Sequence, residues 1–573
     1  MPATSPAAPT DRDLKSIQEA RSLAQRAKQA APALAEMTQA QIDKIIDAAA
    51  GAATPRAEEF ARIAVEETTY GVVADKVEKN LFSSEQVYRF IRPMKTVGVV
   101  ARDEARKIVE IAEPFGVVAA IVPSTNPTST AIYKILISLK ARCPIVMSPH
   151  PSAARCITRV AEVMADAAAS AGAPAGAVNW MQTVTIEGTQ ELMKHRDVAV
   201  ILATGGMGLV RAAYSAGKPA YGVGPGNAPC YIEKSADLVK AASDIVVGKC
   251  FDNGVLCSSP NSVVVDASVH DEVKRQFISQ GAYFMSPAEA DKLAAVLVSA
   301  QRLPNPKLVG KTAKFIAEQA GFSIPPKTRA LIAELKGVGR DYPLSIEKLC
   351  PVLSYYVVAD WREGCERCIQ ILRYGGMGHT MSIHSRNEDV ILEFGLKKPA
   401  FRIVVNTPTT HGSIGLTTGL DPAMTLGCGG FGGNITSDNI SPRHLLNIKR
   451  LAYEVRPAVI RVEGQAAPPR PDAKAVPDEM RLPKVAAPPA SAGIDAPSMR
   501  RQMDAFLGGS APTIPSASPD KAVAVEFVCE EDVKQAIQAG RKIVIADRTI
   551  VTPAARDLAE AHRVFVSAAW PNS

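Results

Sequence analysis

Phe115-Gly116-Val117-Val118-Ala119-Ala120-Ile121-Val122 is an unbroken apolar run that Pro123 stops after one strand length, and the chain changes character on either side of it. Upstream, Leu14, Ile17, Leu23, Ala24 and Ala27 recur at helical spacing, and Ile42, Ile45 and Ile46 do so again, so the first hundred residues read as helices. Downstream, strand-like runs at residues 116–122, 144–148, 178–181 and 198–203 alternate with helical segments. Continuous apolar strands separated by helices imply a parallel sheet covered on both faces, which is the doubly wound α/β architecture. A second β/α region follows, with strand candidates at residues 262–266, 352–359, 381–384 and 402–406, and is expected to form its own domain.

Beyond it the composition shifts. Residues 466–518 are dense in Pro, Ala and Ser, a linker signature. One island interrupts them, where Met499, Met503, Phe506 and Leu507 share a face of a short helix. Residues 522–568 carry helix and strand signals of their own.

The 573 residues exceed what one core organises, and 47% hydrophobic with 21% charged residues is a globular balance. The net charge of +7 is spread along the chain without a polybasic, aromatic-interleaved run, which argues against nucleic acid and mildly favours anionic ligands. The N-terminus is short and polar with no secretory core, and no apolar run approaches a membrane span. Ten irregularly spaced cysteines imply a reducing, cytoplasmic setting rather than a disulfide framework. Cys365 and Cys368 form a lone C-x-x-C with no second pair, so they read as helical core residues and no metal site is expected.

Lys249-Cys250-Phe251-Asp252-Asn253-Gly254-Val255-Leu256-Cys257 carries the strongest chemical signal. A cysteine just after Asn-Gly follows a turn able to present its sulfur, and a thiol needs only modest activation to attack a carbonyl. Cys250 instead ends an apolar helical run and reads as structural.

Around this segment stand, in order, Pro123-Ser124-Thr125-Asn126-Pro127, Ser148-Pro149-His150-Pro151, Ala203-Thr204-Gly205-Gly206-Met207-Gly208 and Gly222-Val223-Gly224-Pro225-Gly226-Asn227. Glu347-Lys348-Leu349, Gly378-His379-Thr380, Asn406-Thr407-Pro408 and Gly427-Cys428-Gly429-Gly430 follow. Each piece is weak alone; the ordered set, over about residues 14–462, resembles the CoA-acylating branch of the aldehyde dehydrogenase superfamily, and the ending Ile550-Val551-Thr552-Pro553-Ala554-Ala555-Arg556-Asp557-Leu558-Ala559 is similar to segments in proteins encoded with bacterial microcompartments.

The resemblance implies two Rossmann-type domains, an oligomerisation strand region and a C-terminal extension. Residues 1–226 would hold the N-terminal helices and the NAD(P)- and CoA-binding domain, with 94–114 as an oligomerisation arm. The catalytic domain would span 227–442, a bridging segment 443–463, the linker 464–521 and a small module 522–573. Cys257 would be the nucleophile, Asn126 the side-chain donor to the developing oxyanion beside the backbone N–H of Cys257, and His379 a proton handler. Ser124, Thr125, Ser148, His150, Thr204, Gly205, Gly206, Gly224 and Glu347 would bind cofactor, Glu347 at the nicotinamide ribose. No G-x-G-x-x-G follows the first strand, and no carboxylate follows residues 144–148, so NAD and NADP stay open.

Hydrolytic members carry Glu-Leu-Gly-Gly-Lys where this chain has Val223-Gly224-Pro225-Gly226-Asn227. Valine takes no proton, so water would lose its general base, worth about 10² to 10⁴ in rate, and a thiol could intercept the acyl-enzyme. The expected reaction converts a short aldehyde (acetaldehyde or propionaldehyde by resemblance), CoA and NAD(P)⁺ into acyl-CoA and NAD(P)H. A hydrolytic enzyme and a catalytically dead shell-interaction scaffold are the alternatives. A bifunctional aldehyde–alcohol dehydrogenase is disfavoured, because roughly 110 residues after Val462 are too few for a second catalytic domain. Expected partners are a second copy, as homodimer or tetramer, and a microcompartment shell protein reached through residues 498–507 or the C-terminal module, placing the enzyme in the microcompartment lumen.

Overall fold

The structure, a computed structural model, describes residues 11–456, 525–562 and 564–567. It divides into two compact units, Met1–Ala458 and Val459–Ser573.

The first unit contains two parallel sheets. One has five strands in spatial order Val178–Trp180, Ile145–Pro149, Val117–Val122, Val198–Thr204 and Ala220–Val223. Every residue of Val117–Val122 is buried. Val118, Ala120 and Val122 pack with Ile45, Ile46 and Leu136 on one face, while Val117, Ala119 and Ile121 meet Ala24 and Ala27 on the other. A strand feeding two cores has no side left for polar residues, which is why it reads as a continuous apolar run.

The second sheet has seven parallel strands in the order Ala282–Phe284, Ala330–Glu334, Val352–Val358, Pro260–Asp266, Ala228–Ile232, Gly378–His384 and Ala400–Val405. Cys230, Ile232, Val263 and Val265 fill one core and Tyr231 and Val264 another, so this sheet is also covered twice. Cys365 and Cys368 lie buried on the helix Trp361–Tyr374. A third, antiparallel sheet joins Gly98–Asp103 and Ile108–Pro114 to Leu446–Ala452, and exposes Val99 and Leu451.

Several sequence expectations need correction. The first helix, Asp11–Ala35, does not bury Leu14, which is 53% exposed; its inner stripe is Ser16, Ala20, Ala24 and Ala27. The cause is close approach: a Cβ on Gly188 of the facing helix Ile186–Lys194 would fall 1.9 Å from the Ser16 hydroxyl, so only small residues fit between them. His379 and His411 each stand beside a glycine, which from the sequence reads as a loop position, but they lie in the strand Gly378–His384 and the short helix Thr409–Ser413. Ala228–Ile232 is an interior strand despite Pro229, which sits at a register shift before pairing with Gly378–His384 begins at Cys230.

The second unit is a small α/β module. Its parallel sheet, Val525–Val528, Ile543–Val551 and Phe565–Ser567, alternates with the helices Glu530–Gln538 and Pro553–His562 around Val528, Val533, Ala536, Ala555 and Ala559. The proposed linker and the helical island at 498–507 lie outside the described residues. Among the described residues no helix is long and apolar enough to cross a membrane.

Candidate active site

Open parallel sheets place ligands beyond the carboxyl ends of their strands. Here Val122, Pro149, Thr204 and Val223, the last residues of four strands of the five-stranded sheet, all line one cavity of ≈ 700 Å³, within the usual size of a ligand cleft. Cys257 and Glu347 line it from the other side.

Cys257 owes its position to the turn before it. Asp252, Asn253 and Gly254 take three successive left-handed conformations, with φ of 49°, 53° and 74°. Gly254 has no alternative, because a Cβ would lie 3.0 Å from the Lys249 carbonyl and 3.1 Å from that of Cys350. The turn ends the helix Leu238–Cys250 and brings Cys257, only partly accessible, into the cavity wall between buried Leu256 and Ser258. Cys250 stays outside, its thiol donating to the Arg329 carbonyl at 3.4 Å.

Burial first, then the Glu347 carboxylate, push the Cys257 thiol up to about 12, with Arg402 opposing. Glu347 is itself pushed up to about 8, chiefly by burial; the Gly226 N–H at 2.9 Å and the neighbouring Lys249 and Lys348 pull the other way. It is the only carboxylate lining the cavity among the described residues.

Asn126 occupies the N-cap position of the wholly buried helix Pro127–Lys140, yet its side chain makes no capping bond. Its Oδ1 instead accepts from Lys79 Nζ at 2.6 Å and its Nδ2 donates to the Thr125 hydroxyl at 3.3 Å. The amide is therefore available to the cavity that Asn126 lines. Lys79 is a residue that sequence reasoning missed. Its only signal was a pair of lysines, Lys76 and Lys79, on the inner face of the helix Val73–Leu81, recognisable once both proved buried.

All nine expected cofactor-binding positions line the same cavity. Ser148 shares a 2.8 Å hydrogen bond with Thr189, and His150 Nδ1 accepts the Ser152 N–H at 3.1 Å. The Thr204 hydroxyl is buried without a protein partner, and Gly206 N-caps the helix Met207–Tyr214 with no side chain in the way. A Cβ on Gly205 would strike Leu209 at 2.7 Å, and one on Gly224 the Met207 sulfur at 2.9 Å. An unsatisfied donor, an open helix N-terminus and close glycine backbone are features that fit a nucleotide.

His379 is placed differently. It is 1% exposed and does not line the cavity. Its ring lies 3.1 Å from the point a Gly226 Cβ would occupy, its Nδ1 meets the Thr380 hydroxyl at 3.0 Å, and its Nε2 has no partner. Burial, aided by Arg402, pushes its imidazole down to about 3, so it stays neutral.

The profile of the aldehyde dehydrogenase family matches residues 10–302. The chain belongs to that family. It is 42% identical over 441 residues to the bifunctional aldehyde-alcohol dehydrogenase AdhE of Escherichia coli K12, covering 76% of this chain and 49% of that protein. The chain thus spans about half the length of this bifunctional relative. Among solved structures it resembles an acetylating aldehyde dehydrogenase from Geobacillus thermoglucosidasius, at 49% identity and TM-score 0.78, covering 79% of this chain and all of that one. It also resembles a propionaldehyde dehydrogenase from the fucose utilisation microcompartment of Clostridium phytofermentans, at 28% identity and TM-score 0.68, covering 75% of this chain and 96% of that one. For this aldehyde dehydrogenase family member the parallel α/β architecture expected from the sequence is therefore both observed and shared with solved relatives.

Proposed function

We propose that this protein oxidises a short aldehyde to an acyl-CoA, with NAD(P)⁺ as hydride acceptor and Cys257 as the covalent carrier. The observation that carries the reading is the cavity itself: a mostly buried cysteine that still reaches it and an N-cap asparagine that makes no capping bond line one space with the buried Val223, which stands where the resemblance puts the hydrolytic base.

Cys257 Sγ, as thiolate, forms a bond to the carbonyl carbon, and the C=O π pair moves onto oxygen. Asn126 Nδ2 and the backbone N–H of Cys257 then face that alkoxide, where preformed donors act most strongly. Thr204, Gly205, Gly206, Ser148 and Glu347 would hold the cofactor, which when bound supplies the hydride acceptor. Burial and the Glu347 carboxylate hold Cys257 as a thiol in the cofactor-free protein, and a positive charge brought into the cavity would favour its thiolate. Once the alkoxide carbon has given up its hydride to that acceptor, the C=O re-forms and the acyl group is left as a thioester on Cys257. The CoA sulfur, losing its proton to solvent, would then attack that carbonyl and expel Cys257 as thiolate.

Water is a poor rival at that step, because Val223 is apolar and Glu347, raised to about 8, is largely protonated at neutral pH. His379, behind the Gly226 backbone, receives no step in this account.

The similarity to acetylating and propionaldehyde enzymes supports acetaldehyde or propionaldehyde as substrate. Exposed Val99 and Leu451 on the antiparallel sheet support self-association through it. The likeness to a microcompartment enzyme, with a separate C-terminal unit, supports a shell-targeting role for residues beyond 464. Incubating the protein with acetaldehyde or propionaldehyde, NAD⁺ or NADP⁺ and CoA, and resolving products by mass spectrometry, tests the reading. Acyl-CoA is expected, and free carboxylic acid as the sole product would overturn it.

A further inference from the structure

The helix Val73–Leu81 turns charge inward. Lys76, Lys79 and Asn80 are its buried residues, at 1%, 2% and 0% exposure. Lysine is seldom buried without a partner, and these two share one. The Asp252 carboxylate, fully buried, accepts from Lys76 Nζ at 2.9 Å, from Lys79 Nζ, and from the Val72 N–H at 2.7 Å. Its own N–H donates to Asp75 at 2.6 Å. Asp252 opens the left-handed turn and lies five residues before Cys257. Lys76 also reaches the Thr125 carbonyl at 3.2 Å, and Lys79 reaches Asn126 Oδ1 at 2.6 Å. One buried charge cluster thus touches both the cysteine-bearing segment and the loop carrying Asn126.

We propose that Lys79 is a positioning residue that fixes which end of the Asn126 amide faces the cavity, an inference that rests on reading Asn126 as the alkoxide's donor. An ammonium only donates, so it accepts no N–H and must face Oδ1. Nδ2 is thereby turned away from Lys79 and left to the site, where its one other contact is the 3.3 Å bond to the Thr125 hydroxyl. Without the ammonium, the two ends of an amide are nearly alike in shape and the Oδ1-inward rotamer would present a lone pair to the alkoxide. Asp252 holds the ammonium in place and ties it to the turn before Cys257, so donor and nucleophile share one anchor.

A double-mutant cycle on the full-length enzyme tests this, using acetaldehyde and NAD⁺ without CoA and reading the rate of the first NADH turnover. Asn126→Ala should slow that turnover by about 10²-fold or more. Lys79→Met should slow it by about tenfold or more, because misaligned groups lose rate steeply. The double variant should be no slower than Asn126→Ala, within about threefold, since an absent amide cannot be misoriented. NAD⁺ affinity and iodoacetamide alkylation of Cys257 should stay within about twofold in Lys79→Met, whereas a merely structural lysine would shift both. If Lys79→Met does not fold, Lys79→Gln replaces it in the cycle; it both donates and accepts, so it no longer dictates the amide's orientation. A parent-like first turnover in the Lys79 variant, losses that multiply in the double variant, or loss of NAD⁺ affinity and alkylation alongside the rate would each overturn the role of Lys79. A parent-like rate in Asn126→Ala would instead overturn the reading of Asn126, and that result is distinguishable because it does not involve Lys79.

Discussion

The backbone N–H of Gly226 donates to Glu347 at 2.9 Å, joining the loop after Val223 to the carboxylate beside Cys257. The same glycine leaves no room on its other side. A Cβ there would lie 2.2 Å from the Cys257 carbonyl oxygen and 3.1 Å from the His379 ring. The Cys257 backbone, Glu347 and His379 therefore meet at a residue without a side chain.

Gly226→Ala should cost about 1–3 kcal/mol of stability, because the clash is with backbone rather than a flexible side chain. It should also reduce NADH formation, since relief comes by moving the Cys257 backbone or by shifting Gly226 and with it the N–H that Glu347 accepts. Thermal unfolding and steady-state rates check this, and a parent-like melting temperature with parent-like activity would contradict it.

Glu347→Gln should make Cys257 easier to ionise. The carboxylate is the second cause, after burial, of the raised thiol pKa, so removing its charge lowers the pH at which alkylation accelerates. The effect has a window. Below about pH 8 Glu347 is itself mostly protonated in the cofactor-free protein, so variant and parent should coincide there and diverge above it. Rates of iodoacetamide reaction from pH 6 to 10 read this directly; identical profiles throughout would remove the coupling.

Cys257→Ala should abolish turnover while Cys250→Ala keeps most of it. Only Cys257 lines the cavity, and Cys250 is occupied with the Arg329 carbonyl at the end of its helix. Circular dichroism must first establish that both variants fold. Substantial NADH formation by Cys257→Ala would refute the covalent mechanism.

Much of this was legible in the chain because buried parallel strands and catalytic loops leave local marks. The run ending at Val122 announces a strand covered on both faces, and Asn253-Gly254 announces the turn that presents Cys257. Three-residue strands such as Ala282–Phe284 are too short to show a period, and Pro229 conceals Ala228–Ile232. The inward stripe of the first helix was misassigned to Leu14, because close helix packing selects Ser16 and Ala20 over larger apolar residues. The link from Asp252 through Lys79 to Asn126 spans 173 and 47 residues of sequence, and no local pattern encodes pairings at such distances.

Val223→Glu should raise the rate of free-acid release without CoA, since a carboxylate would then stand at the end of the strand Ala220–Val223 in the cavity wall. Val223 is 2% exposed, so the new carboxylate should also lower the melting temperature. Acid release at the parent's rate by a folded variant would show that this position does not control water attack.

The central claim is that the acyl group waits on Cys257 for a thiol. Rapid mixing of the full-length enzyme with acetaldehyde and saturating NAD⁺, without CoA, measures it by counting NADH per active site. A burst of about one equivalent followed by slow leakage is expected, with rapid turnover restored on adding CoA. Rapid multiple turnover to acetate before any CoA is added would contradict it.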